Sequence, residues 1–138
     1  MIIKIRDIHK TIANPSHVFD MVSEYFKTID SIDRDKEHFF VFHLNTRNKV
    51  KFMELVSIGT LNQSVVEPRE VFTRAVAERS ASIILAHNHP SDQANPSIED
   101  ISVTRRLQDA GKIISIEVLD HVICTSNDFY SMSRNGDM

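Results

Sequence analysis

The run Ser82-Ile83-Ile84-Leu85-Ala86 feeds directly into His87-Asn88-His89-Pro90, and this junction constrains the fold more than any other stretch of the chain. A short, unbroken apolar run reads as a buried strand, so two histidines stand at or just beyond its end. Strand side chains alternate between faces, and residues two apart share one. His87 and His89 therefore present both imidazoles to the same side and can grip one ion.

A third ligand has to come from elsewhere. Residues 91–96 form a polar loop, and Ser97-Ile98-Glu99-Asp100 opens a helix expected over residues 97–110, with an apolar stripe of Ile101, Thr104 and Leu107 and with Gly111 just past its end. Asp100 then sits on the first turn of that helix, close enough in sequence to fold back on the histidines. Two imidazoles and a carboxylate suit tetrahedral Zn2+ with the fourth position left to water, as in catalytic sites. Bound zinc lowers the pKa of its water to about 7, and amide hydrolysis needs in addition a carboxylate to move the proton. Ser97, one turn before Asp100, is placed to stabilise an oxyanion. The same four residues also read as a helix cap, and the two roles are compatible.

Strand and helix patterns alternate along the rest of the chain. Alternating apolar and charged positions (Ile3, Ile5, with Lys4 and Arg6 between) lead to the helix-start signal Asn14-Pro15-Ser16. Residues 17–29 form an amphipathic helix on Val18, Met21, Val22, Tyr25 and Phe26, and a polar stretch over 30–36 ends it. Residues 38–44 and 50–58 form a hairpin about a turn at 45–48, and Gly59 and Asn62 punctuate the loop that follows. Pro68 precedes a helix over 69–80, with Val71, Phe72, Ala75 and Val76 on its apolar stripe and Glu70, Arg74 and Glu78 on its solvated one. Two final strands are expected over 113–118 and 120–125. The alternation gives an α/β sandwich without internal repeats.

Composition bounds the function. The 138 residues, 41% hydrophobic, fit a single domain over 1–138, with a core at about 35–133 and an N-terminal strand and helix in 1–34. A net charge of −3 gives no electrostatic reason to expect a nucleic-acid partner. Basic residues such as Arg69, Arg74, Arg79, Arg105 and Arg106 are interspersed with acidic ones. The longest apolar runs, 39–42 and 83–86, fall far short of the roughly 20 residues that span a bilayer, so no membrane partner is expected. One cysteine, Cys124, allows no internal disulfide, and no secretory leader pattern opens the chain, so the expected location is cytoplasmic. Cys124 reads as a small buried hydrophobe, and His121, in the same apolar strand, as a packed, hydrogen-bonded core residue. His9, His17, His38 and His43 follow no ligand spacing. The string His87-Asn88-His89 is unrelated to HNH nucleases, whose three residues are dispersed along the chain.

The spacing His87-x-His89-Pro90, then Ser97, then Asp100 resembles the JAMM signature of JAB/MPN metallopeptidases. Gly59-Thr60-Leu61-Asn62, Val66-Glu67-Pro68-Arg69-Glu70-Val71-Phe72 and Leu119-Asp120-His121-Val122-Ile123 resemble the RadC branch of that superfamily. The resemblance covers residues 37–133. It implies a JAB/MPN-like, cytidine-deaminase-like three-layer sandwich of the α/β (α+β) class, with a central mixed sheet flanked by helices. It also implies Zn2+ held by His87, His89 and Asp100, with Ser97 assisting at the oxyanion. A catalytic glutamate is implied at the start of the strand after the first long helix, which is Glu37, with Glu54 on the neighbouring strand as the fallback. The implied activity is that of a zinc-dependent metallopeptidase or isopeptidase acting on a protein or peptide of unknown identity. The alternatives are a DNA-repair-associated accessory protein, suggested by the RadC name, and a catalytically silent interaction module. Two departures stand out. Relatives carry a glycine where this chain has Asp92, which implies a stiffer or more acidic loop. Full-length relatives tend to carry an N-terminal helix-hairpin-helix region, which 138 residues are too few to include.

Overall fold

The fold, taken from a computed structural model, is described for residues 1–3, 10–59 and 66–138. The elements are β1 (Ile2–Ile3), α1 (Pro15–Phe26), α2 (Ser31–Arg34), β2 (Glu37–Leu44), β3 (Val50–Gly59), α3 (Pro68–Ala77), β4 (Ser82–Asn88), α4 (Ile98–Ile114), β5 (Glu117–Cys124) and β6 (Phe129–Ser131). The expected alternation through residues 4–9 and the loop at Asn62 lie outside the described residues.

The strands form one mixed sheet in the order β1-β3-β2-β4-β5-β6. β4 and β5 run parallel, joined by α4, while β2 pairs antiparallel with both β3 and β4. The period-two pleat sends alternate residues of each strand to opposite faces. Phe40, Phe42, Ile84, Ala86, Val122 and Cys124 meet Val18, Met21 and Val22 of α1. On the other face, Phe39, Val41, Ile83 and Leu85 meet Val71, Phe72 and Ala75 of α3 and Val103 and Leu107 of α4. The result is helix, sheet and helices in three layers, with both faces of β2 and β4 buried, as their uninterrupted apolar runs require. This is the architecture expected of a JAB/MPN-like fold.

Local chemistry sets the boundaries. The Asn14 side chain accepts from Ser16 N (2.9 Å), and Pro15 takes the first helical position, where its missing N–H is no loss. α1 stops at Phe26, three residues before the expected end, and the polar segment after it contains the single turn α2. Arg74 does not serve its own helix face. Its guanidinium crosses to Glu54 of β3 (3.3 Å).

Two expectations at the C-terminal end are corrected. Gly111 does not stop α4; it is buried inside the helix, which runs on to Ile114 and ends where Ser115 turns left-handed (φ 60°). The reason is proximity: a Cβ at Gly111 would stand 2.3 Å from the carbonyl oxygen of Ile116, so glycine is required for the return of the chain and not for its termination. Ile113 and Ile114 are consequently helical, and a single strand, β5, replaces the two expected over 113–118 and 120–125. The short strand β6 was not expected. It pairs with the end of β5, Val122 opposite Ser131.

Candidate metal centre

The parallel pair β4 and β5 needs a crossover, and α4 supplies it. The N-terminus of α4 is thereby returned to the carboxyl end of β4, the position where open α/β sheets build their sites. His87 lies on β4 and is fully buried, His89 is one residue beyond the strand and half-buried, and Asp100 is buried on the first turn of α4. Their ligand atoms lie within 4.8 Å of one another. His87 Nε2 is 3.3 Å from Asp100 Oδ1, His89 Nε2 is 3.2 Å from Asp100 Oδ2, and the two Nε2 atoms are 2.9 Å apart.

Those separations fit a shared cation. Around zinc with bonds of about 2.0–2.2 Å, tetrahedral ligand atoms stand roughly 3.3–3.6 Å from one another. The two nitrogen-to-carboxylate spacings are close to that size, the 2.9 Å between the two Nε2 atoms is shorter, and the donor set is the borderline N/N/O one that a divalent transition metal prefers. The cluster could hold a metal ion.

Electrostatics agree with this proximity. Burial opposes ionisation of Asp100, but its contacts with His87 and His89, with the Ser97 backbone N–H, outweigh it and hold the carboxyl well below its usual range. The hydrogen bond to Asp100 raises the pKa of His89 against the opposing effect of burial. The Gln93 carbonyl, the Asp100 charge and the Glu37 charge push in the same upward direction.

Ser97 is the N-cap of α4. Its Oγ accepts from Asp100 N (3.0 Å), while Asp100 Oδ2 accepts from Ser97 N (2.8 Å), which completes a capping box. In that arrangement the hydroxyl is an acceptor and its own proton is not consumed by the cap.

Glu37, the first residue of β2, is partly buried. Asn88 brackets it: the Asn88 Oδ1 accepts from His38 N (2.6 Å), and its Nδ2 donates to Lys36 O (3.0 Å). The backbone on both sides of Glu37 is thus tied to the residue between the two histidines. Glu54 is engaged elsewhere. It is buried, with Oε1 3.0 Å from His43 Nε2 and Oε2 3.3 Å from Arg74 Nε. Burial opposes its ionisation, and these partners lower its pKa despite that.

The loop between His89 and α4 is pinned at Asp92. Its φ of 62° lies in the left-handed region that favours glycine. Its Oδ1 accepts from Ser126 Oγ (2.9 Å) and from Ser126 N (3.3 Å). A short polar side chain tolerates this conformation, and here it ties the loop to the segment after β5. Beside His89 opens a cavity of about 430 Å³, bordered by Val22, Phe26 and Cys124 and by Lys27, Arg34 and Asp92. Burial raises the pKa of the Cys124 thiol, consistent with a packing role.

Sequence reasoning placed His121 in the core without a partner at the site. The structure gives it one. His121 is fully buried, with Nε2 2.7 Å from His87 Nδ1 and Nδ1 2.5 Å from Thr104 Oγ1. Burial, followed by the neighbouring His87, drives its pKa well below the ordinary histidine value. The signal available in the sequence was a histidine beside Asp120 on an apolar strand, and nothing local connects it to a residue 34 positions earlier.

A family description, RadC-like JAB domain, matches residues 12–137. The chain belongs to the RadC-like JAB domain family. Among its relatives, a UPF0758 protein of Desulforamulus reducens is 50% identical over 122 residues, covering 88% of this chain and 52% of the relative. One from Chlorobium chlorochromatii is 51% identical over 104 residues, covering 75% and 47%. One from Desulfitobacterium hafniense is 44% identical over 129 residues, covering 94% and 55%. The RadC-like chain spans about half the length of the curated relatives it matches. Among its described residues no helix is long and apolar enough to cross a membrane.

Proposed function

We propose that the RadC-like chain is a zinc-dependent metallohydrolase of metallopeptidase or isopeptidase type. The observation that carries this reading is the convergence of His87, His89 and Asp100, of which His89 borders a cavity large enough for a short peptide segment. In this reading the two Nε2 atoms and the Asp100 carboxylate hold the ion. Zinc so held supplies a water acidified to about pKa 7 and a Lewis acid for the scissile carbonyl.

Two residues then act on protons and charge. Glu37, near enough for its charge to bear on His89, takes the proton of the attacking water and returns it to the departing amine. The Ser97 hydroxyl, which caps through its lone pair, has its proton left to donate to the developing oxyanion. The cavity walls, apolar at Val22 and Phe26, exclude water from the bound amide.

The test is metal content. Purified protein is expected to carry about one zinc per chain, the stoichiometry of a three-ligand catalytic site, and His89→Ala or Asp100→Ala should remove it. Full zinc in both variants would refute the site.

A further inference from the structure

The geometry points to His121 and Thr104 as positioning residues that fix the tautomer of His87, so that its Nε2 offers a lone pair towards the cation. This rests on the metal-centre reading above and adds to it the residues that prepare the site before any ion arrives.

The contacts form a continuous run. His87 Nδ1 is 2.7 Å from His121 Nε2, His121 Nδ1 is 2.5 Å from Thr104 Oγ1, and Thr104 Oγ1 is 2.6 Å from the backbone oxygen of Asp100. The run ends at His87 Nε2, which lies 3.3 Å from Asp100 Oδ1 and 2.9 Å from His89 Nε2. The direction of this run is set at the Asp100 carbonyl, because a carbonyl oxygen can only accept. A hydroxyl has one proton, so the Thr104 O–H points to that carbonyl and its lone pair faces His121 Nδ1. The sulfur of Met132, 3.6 Å from Thr104 Oγ1, is a far weaker acceptor.

The rest is proton counting. His121 must carry its hydrogen on Nδ1 to meet the Thr104 lone pair. An uncompensated imidazolium at full burial is costly, so the ring is neutral and its Nε2 is bare. That bare nitrogen accepts from His87 Nδ1–H. His87, neutral when it ligates, is then left with a bare Nε2 facing Asp100 and His89. The opposite tautomer would put a hydrogen where the ion must go. Metal-ligating histidines generally donate their second N–H to a carboxylate, carbonyl or water; here the acceptor is a second imidazole, and the carbonyl that orients it belongs to the ligand residue Asp100 itself. Thr104 and His121 are both completely buried, so solvent does not compete for these bonds.

Two measurements test this. In metal-free protein labelled with ¹⁵N histidine, side-chain NMR should show both His87 and His121 as the Nδ1–H tautomer; an Nε2–H His121 would overturn the inference, whatever any variant does. Chelator competition should then show Thr104→Val binding zinc about 10–100-fold more weakly than wild type, with Thr104→Ser, which restores the hydroxyl, at wild-type affinity. Equal affinity in Thr104→Val would overturn the positioning role and leave the metal site standing. A wild-type protein that binds no zinc would overturn the site, and this inference with it.

Discussion

Ser97 and Asp100 exchange two hydrogen bonds across the first turn of α4, Ser97 Oγ accepting at 3.0 Å and Asp100 Oδ2 accepting at 2.8 Å. The same carboxylate faces His87 through Oδ1 and His89 through Oδ2. The helix cap therefore orients the carboxylate of a residue that is also one of the three that could hold a metal ion.

Replacing Ser97 separates its two roles. Ser97→Ala should cost about 0.5–2 kcal/mol in urea unfolding of the metal-free protein, and Ser97→Gly only a few tenths, while zinc content stays unchanged in both. If the hydroxyl also serves the oxyanion, Ser97→Ala should lower kcat by about 10²–10³. An unchanged kcat would reduce Ser97 to a cap.

Glu37→Gln should bind zinc normally and lose about 10²–10⁴ in rate on a panel of fluorogenic peptide and isopeptide amides. Glu54→Gln should act differently. It lowers stability by about 1–3 kcal/mol by weakening the bonds to His43 and Arg74, and leaves the zinc-bound rate near wild type. Undiminished hydrolysis in Glu37→Gln would dismiss Glu37 as the base.

Zinc affinity should fall on acidification, starting above the ordinary histidine value of 6.5. The pKa of His89 is raised by its hydrogen bond to Asp100, so in the metal-free protein a proton occupies this nitrogen at higher pH than usual and must leave before the ion binds. Affinity is level above the raised His89 pKa and falls by up to about tenfold per pH unit below it. Asp100, held well below the carboxylate range, adds no proton to this competition near neutrality. Stability of the metal-free protein has the opposite sign. The charged His89–Asp100 pair contributes fully below pH 6.5, and that contribution is lost as pH rises through the raised value. A break in zinc affinity below pH 6.5 would contradict this.

Gly111→Ala should destabilise the protein by about 1–3 kcal/mol in spite of a helix-propensity gain of about 1 kcal/mol. The new methyl would meet a backbone oxygen, that of Ile116, at 2.3 Å, and backbone cannot rotate away as a side chain can. Thermal unfolding decides it, and a more stable Gly111→Ala would show that the turn after α4 is able to give.

By itself the sequence determined what depends on neighbours. Apolar spacing marks α1 and α3, an uninterrupted apolar run marks β4 as covered on both sides, and the two-residue step from His87 to His89 with an acidic residue on the next helix's first turn sets the candidate site. Each of these is a consequence of backbone period or of a few residues of chain, and each can be read before the chain folds. What tertiary structure alone decided is who meets whom across the sheet. Gly111 reads locally as a helix stop, yet it serves the approach of Ile116. Glu54, the fallback base on the neighbouring strand, is found buried between His43 and the Arg74 that α3 lays over it. His121 reads as core filling until the parallel register of β4 and β5 sets it beside His87, 34 residues away, with Thr104 of α4 against its other ring nitrogen. Hydrogen-bond direction is a property of the whole run of partners, so no single segment of sequence contains it.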